Sequence, residues 1–286
     1  MKKNLFLVAG ALIMAACSSE EINENLPYVA DEGEIQLMFV HPASTRATDT
    51  NFEATDQVGV YMTAADANLQ IGGNEVNNEL FTYNGTSWTS SRKVYWNNGT
   101  HDVYAYYPYS AVVNDIEDYA FEVQTDQSTA NGYTQSDFLW AGKKGVEASA
   151  SPVEMQFAHK LSNVVVRLEK GETFTGDISS DTKVYIHSTV AKAVIDLATG
   201  NAAKDDYAGT TSIRCRQNSA SEYVACLVPQ NITTRRPLVE VITGGVSYLM
   251  EGKISLKPGM RHTITVTLDK NPEQIKIDIG GEIVNW

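Results

Sequence analysis

Five histidines, His41, His101, His159, His187 and His262, are the side chains best suited to hold a metal or move a proton at neutral pH. None lies beside another histidine or a cysteine at ligand spacing, so strand or surface positions explain them better than a metal site. Nucleophilic chemistry has as little support. Ser90 with Lys93, and Ser180 with Lys183, fit the short Ser-x-x-Lys pattern, but its Ser-Asp-Asn and Lys-Thr-Gly companions are missing, and no Gly-x-Ser-x-Gly occurs. Neither a Walker loop nor a Gly-x-Gly-x-x-Gly is present. Carboxylates are numerous enough to leave a glycosidase pair open, although Glu20-Glu21 and Asp205-Asp206 read as solvated loop charges. The expectation is no catalytic residue, no cofactor and no metal.

Two kinds of residue remain suggestive. Cys215 and Cys226 lie eleven apart, each in a strand-like run, and either bridge a hairpin or stay as two buried thiols. Tyr95-Trp96 and the run from Tyr104 to Tyr109 form an aromatic cluster, with Trp88 and Trp140 in the same half. Aromatic faces bind sugars, but they also fill cores and interfaces, and the second use is the expected one here.

The N-terminus carries an export signal. Lys2 and Lys3 precede an apolar run from Leu5 to Ala16, a length that suits a signal peptide and is too short for a comfortable membrane span. The run closes on Leu12-Ile13-Met14-Ala15-Ala16-Cys17. That ending resembles the bacterial lipobox, which makes Cys17 the acylated first residue of the mature chain; the alternative is an ordinary secretory signal before a stray cysteine. Two acyl chains suffice for stable attachment. Ser18-Ser19-Glu20-Glu21 resembles the surface-export signal of some Gram-negative lipoproteins, and residues 17–33 otherwise read as a flexible tether. Loss of residues 1–16 lowers the formal charge from -13 to about -15, which argues against nucleic acid or an anionic membrane surface as ligand.

The elements that must carry these residues are strands. Period-2 alternation marks Ile35/Leu37/Phe39, Val58/Val60/Met62, Val103/Ala105/Tyr107, Val164/Val166/Leu168, Val184/Ile186, Ile264/Val266/Leu268 and Ile275/Ile277/Ile279. Asn84-Gly85, Asn98-Gly99, Gly244-Gly245 and Pro258-Gly259 punctuate them as turns. No window carries a helical stripe. The pattern predicts about a dozen short strands in an all-β fold of two sandwiches, with domains over residues 34–160 and 161–286.

In order along the chain stand Thr45-Arg46-Ala47, Asp56-Gln57-Val58-Gly59-Val60-Tyr61, Tyr106-Tyr107-Pro108-Tyr109 and Asp137-Phe138-Leu139-Trp140-Ala141. Phe157-Ala158-His159-Lys160-Leu161-Ser162-Asn163, Leu227-Val228-Pro229-Gln230, Leu256-Lys257-Pro258-Gly259 and a C-terminal Ile283-Val284-Asn285-Trp286 follow. With the lipobox at Cys17, this series resembles the fimbrillins, the subunits of type V pili, in their minor-subunit-like branch. The resemblance implies two tandem transthyretin-like β-sandwiches and a non-enzymatic, adhesive role. It implies an outer-membrane lipoprotein, anchored through the Cys17 lipid and exposed at the surface until it enters a fimbrium. An arginine-specific protease would cut Arg46-Ala47, the strand bearing Ile35, Leu37 and Phe39 would leave, and the groove would accept a strand from another fimbrial subunit. Ile275, Ile277, Ile279, Ile283 and Trp286 would form either a donor strand or the last strand of the second sandwich. A subunit with little strand to donate would sit at a tip or anchor, or serve as a minor component. The implied ligand is a host protein or glycan; the other reading of the whole chain is a surface glycan-binding lipoprotein.

Overall fold

The computed structural model of the protein describes residues 33–42, 51–271, 275–279 and 283–286. The first half contains β1 (Leu37–Val40), β2 (Gln57–Ala64), β3 (Val76–Tyr83), β4 (Trp88–Ser90), β5 (Thr100–Tyr107), β6 (Tyr119–Glu122), a single-turn helix α1 (Ala130–Thr134), β7 (Leu139–Glu147), β8 (Val153–Gln156) and β9 (Ala158–His159). The second half contains β10 (Ser162–Lys170), β11 (Lys183–Val190), β12 (Lys192–Asp196), β13 (Asn201–Lys204), β14 (Thr210–Arg214), β15 (Arg216–Ser219) and β16 (Glu222–Leu227). It ends with β17 (Asn231–Thr243), β18 (Val246–Ser255), β19 (Met260–Leu268), β20 (Lys276–Asp278) and β21 (Ile283–Asn285).

The expected alternating runs all fall in strands or at their ends. The additional strands are mostly short, such as β4, β9 and β21, with too few residues to show a period. Between β3 and β4 the chain reverses at Asn84-Gly85. Gly85 takes φ +97°, a left-handed conformation that favours glycine, and the Asn84 carboxamide oxygen accepts from the N–H groups of Thr86 and Ser87.

A six-stranded sheet in the order β4-β3-β2-β5-β7-β9 is the middle layer of the first half. Its two faces serve different cores, which explains why β2 and β5 are buried almost throughout. Val58, Val60, Met62, Val103, Ala105 and Tyr107 face a core closed by β1 and β8. Tyr61, Tyr104 and Tyr106 face the other way, into a larger core shared with the second half. That second core lies between the sheet β15-β16-β10-β19, extended by β20 and β21 on β19, and the sheet β14-β11-β17-β18. A three-stranded sheet β13-β12-β6 links the halves: Phe121 of β6 lies opposite Ala193 of β12, so hydrogen-bonded strands cross the sequence division at residue 160.

The tyrosines facing the shared core give a measurable signature. Burial pushes the Tyr61 hydroxyl up to about 12, and burial also raises Tyr106 and Tyr119. For each of these acids the folded chain holds its proton more tightly than the unfolded chain does. Their contribution to stability is therefore complete below the unfolded tyrosine value of about 10 and declines as pH rises above it. The denaturation midpoint should fall as pH rises from about 10 to about 12, with a smaller fall in Tyr61→Phe. An equal fall in wild type and variant would contradict the burial of this hydroxyl.

Candidate functional site: the first strand and its groove

The alternation Ile35-Gln36-Leu37-Met38-Phe39 folds as the sequence predicts. Ile35, Leu37 and Phe39 are buried, while Met38 between them is 46% exposed. Phe39 is the anchor. Its ring meets Trp88 edge-on at 4.8 Å between centroids, Phe81 at 5.7 Å and Phe157 at 5.6 Å.

Among the described residues the backbone of β1 has one strand partner. It runs parallel to β8, from Leu37 opposite Val153 to Val40 opposite Gln156. The Val153 N–H donates to the Gln36 carbonyl at 2.9 Å, and the Phe157 N–H donates to the Val40 carbonyl at 3.0 Å. Upstream, the Ile35 N–H donates to the Val94 carbonyl at 2.8 Å, and the Trp96 N–H to the Gly33 carbonyl at 3.0 Å. Beyond that short bridge the chain segment at 88–90 departs to join β3, and a cavity of about 490 Å³ opens between β1 and β4. Phe39, Phe52, Phe81, Tyr83 and Trp88 line it. The first strand is thus well anchored by side chains but lightly tied by backbone.

The C-terminal residues are placed as a terminal strand. β20 and β21 both lie antiparallel to β19, Ile277 opposite Val266 and Val284 opposite Arg261. Ile275, Ile277 and Ile279 are partly buried against the second core, whereas Ile283 is 50% exposed. Trp286 donates its N–H to the Gly259 carbonyl at 3.0 Å and stacks on His159, with centroids 3.9 Å apart. Cys17, Arg46 and Ala47 lie outside the described residues.

Cys215 and Cys226 are buried thiols with no bridge between them, so the hairpin disulfide is corrected in favour of the other reading. Strand alternation is the reason. Tyr223, Ala225 and Leu227 of β16 point into the core together with Cys215, and Cys226, between Ala225 and Leu227, points to the opposite face. The Gln127 carboxamide pairs with the Cys226 backbone, accepting from its N–H and donating to its carbonyl, each at 2.8 Å. Burial pushes the Cys215 thiol up, out of reach of ordinary ionisation. Alkylation without reductant should leave both cysteines unmodified in the native chain and label both after unfolding; a requirement for reductant would contradict two separate thiols.

The aromatic cluster is mostly interior. Tyr104, Tyr106, Tyr107 and Trp88 are buried, and Tyr95 is the exposed member. Trp140 is held by its indole N–H donating to the Leu197 carbonyl at 2.7 Å and by Lys160 over its ring at 4.6 Å. His41 and His159 meet edge to face with centroids 5.7 Å apart, and the others stand apart: His101 meets Glu75 at 2.6 Å and His187 meets Glu240 at 3.0 Å, while His159 also meets Asp137 at 3.0 Å. Among the described residues no three His, Cys, Asp or Glu side chains converge as a metal site would require.

Missed in the sequence is how several motifs meet at one junction. Asp137, Trp140, His159, Lys160 and the C-terminal Trp286 come together where the two halves join. Such a meeting of distant residues has no local signal; only the density of aromatic and charged residues in otherwise apolar strands could have hinted at it.

A β-sandwich protein with a lightly tied first strand is the class that this fold and this site define. The chain belongs to the fimbrillin-like family, whose model matches residues 45–286. It is a family of fimbrial and adhesion proteins, not of enzymes. A Bacteroides ovatus protein provisionally named fimbrium tip subunit Fim1C is 31% identical over 144 residues, covering 44% of this chain but only 26% of that relative's length. A Bacteroides uniformis protein provisionally named fimbrium subunit Fim1C is 24% identical over 306 aligned positions, covering 100% of this chain and 96% of the relative. Among solved structures, a B. ovatus protein provisionally described as a cell adhesion protein superposes with a TM-score of 0.70 at 20% identity, covering 88% of this chain and 96% of that one. A B. uniformis protein described in the same words gives 0.68 at 20% identity, covering 90% and 99%. At this identity the superpositions establish the fold.

Proposed function

We propose that this chain is a structural subunit of a cell-surface fimbria, made as an outer-membrane lipoprotein acylated at Cys17 and matured by loss of its first strand. Its two halves act as tandem transthyretin-like sandwiches divided near residue 160. An arginine-specific protease cuts Arg46-Ala47, β1 leaves together with the lipid anchor, and a strand of another subunit takes its place. The observation that carries the reading is the construction of β1: three buried side chains plug the first core, yet among the described residues one parallel neighbour and a short bridge are its backbone ties. Such a strand can be exchanged for another of the same pattern, because the groove reads alternate side chains and a strand edge. The family match also begins at residue 45, beside the proposed cut and after β1.

The C-terminal strand already has a place on β19, and its last turns are thinly buried. That arrangement, with the name of the B. ovatus relative, favours a tip, anchor or minor position over a repeating stalk position. Arg46→Ala should yield a full-length, folded precursor that fails to enter polymers. Normal polymers from that variant would overturn proteolytic maturation.

A further inference from the structure

The ten-residue β18 is the outer strand of the sheet β14-β11-β17-β18, and among the described residues no other edge strand exceeds the five residues of β14. Edge strands are ordinarily kept short, bent or broken by proline, because their unpaired N–H and C=O groups invite another strand. β18 has no proline, and where its register with β17 shifts, the extra residues lie on β17. The hairpin fixes which of its backbone groups face out. Gly244 and Gly245, at φ +55° and +77°, form a two-residue turn that closes on Thr243 opposite Val246. Val246, Tyr248 and Met250 therefore bond towards β17, and Ser247, Leu249, Glu251 and Lys253 present their backbone groups outward. The side chains of these four are also exposed, Leu249 by 55%.

We infer that β18 is a self-association edge, at which a second copy of this chain adds its own β18 antiparallel about a two-fold axis. Charge selects the partner and the register. Outward-bonding residues pair only with outward-bonding residues, so the axis must pass through a residue of the strand. At Glu251 or Lys253 it would set like charges face to face, and at Met250 it would set Glu251 against Leu249. At Gly252 it brings Glu251 of each copy opposite Lys253 of the other, with Leu249 opposite Ser255 and Met250 opposite Ile254. A charge on an edge strand ordinarily keeps other strands away. Here the two charges are spaced to complement their own strand read in reverse. Among the described residues neither Glu251 nor Lys253 has an ion-pair partner within the chain. One strand pair buries much less surface than a stable dimer needs, so the contact is weak between two free chains and gains strength where many copies stand in an array. It leaves β1 and its groove untouched and does not depend on strand exchange.

The test traps the contact as a disulfide. Full chains carrying Glu251→Cys and Lys253→Cys are mixed under mild oxidation. The inferred register sets these two positions about 5.5 Å apart between Cα atoms, within disulfide reach, and keeps the second Glu251–Lys253 pair intact. The expected result is at least about tenfold more cross-linked dimer in the mixture than in either variant alone, with Cys215 and Cys226 buried and silent. Equal yields in all three samples would reveal random collision or another register, and an uncross-linked mixture would reveal no contact; either overturns the inference. Adding Glu251→Lys to the Lys253→Cys chain should remove the cross-link, and adding Lys253→Glu to its partner should restore it. A yield indifferent to both reversals would overturn a register set by charge.

Discussion

A chain that begins at Ala47 is expected to lose most of the stability that the first core supplies, with the core shared by the two halves weakened less. Removal of residues 34–41 takes Ile35, Leu37 and Phe39 out of the first core. Burial of each such side chain contributes about 1.5–3 kcal/mol, so the three together contribute about 5–9 kcal/mol. That sum is comparable with the whole stability of an ordinary domain. The exposed groove would offer Phe81, Trp88, Met155 and Phe157 to solvent, all of them core neighbours of the missing strand. Thermal unfolding should separate into two transitions, the first lowered steeply, with binding of an apolar dye at room temperature. A single transition at the full-length temperature would mean that β1 does not plug the core. Added in excess, a peptide copying residues 34–41 should restore the first transition, because a ligand that binds the folded form stabilises it by mass action.

Within the intact chain, Phe39→Ala should be the most damaging single substitution in β1, at about 3–5 kcal/mol. The ring is 5% exposed and touches Phe81, Trp88 and Phe157, and it already borders a cavity. Truncation would enlarge that cavity between walls that strands on both sides hold apart, so little collapse can offset the loss. Met38→Ala, on the same strand but 46% exposed, should cost under about 0.5 kcal/mol. Denaturant midpoints of the first transition for the two variants decide the matter. Equal effects would show that the alternation of β1 does not govern its hold on the groove.

The strands with clean alternation were legible because each has one face in a core: Ile35/Leu37/Phe39 and Val164/Val166/Leu168 are buried as their spacing requires. The middle sheet was harder to read. Tyr61, Tyr104 and Tyr106 are core residues on the second face of a sheet that carries a core on each side, and a period-2 rule assigns such positions to solvent. The aromatic cluster is read from sequence as core or interface in preference to a sugar platform, and Tyr104, Tyr106, Tyr107 and Trp88 are buried. The pairing of β1 with β8 joins residues more than a hundred positions apart, and parallel pairing leaves no hairpin signature between them. The cysteines fit a hairpin by spacing alone; which face each takes depends on the register of β15 on β16, where a bulge between Gln217 and Ser219 shifts the count.

The most direct test of strand removal is N-terminal sequencing and intact mass of this protein recovered from the cell surface in high-mass polymers. A polymer-borne form that starts at Ala47 and carries no lipid is the predicted result. Polymers built from chains that still begin at an acylated Cys17 and retain β1 would contradict it.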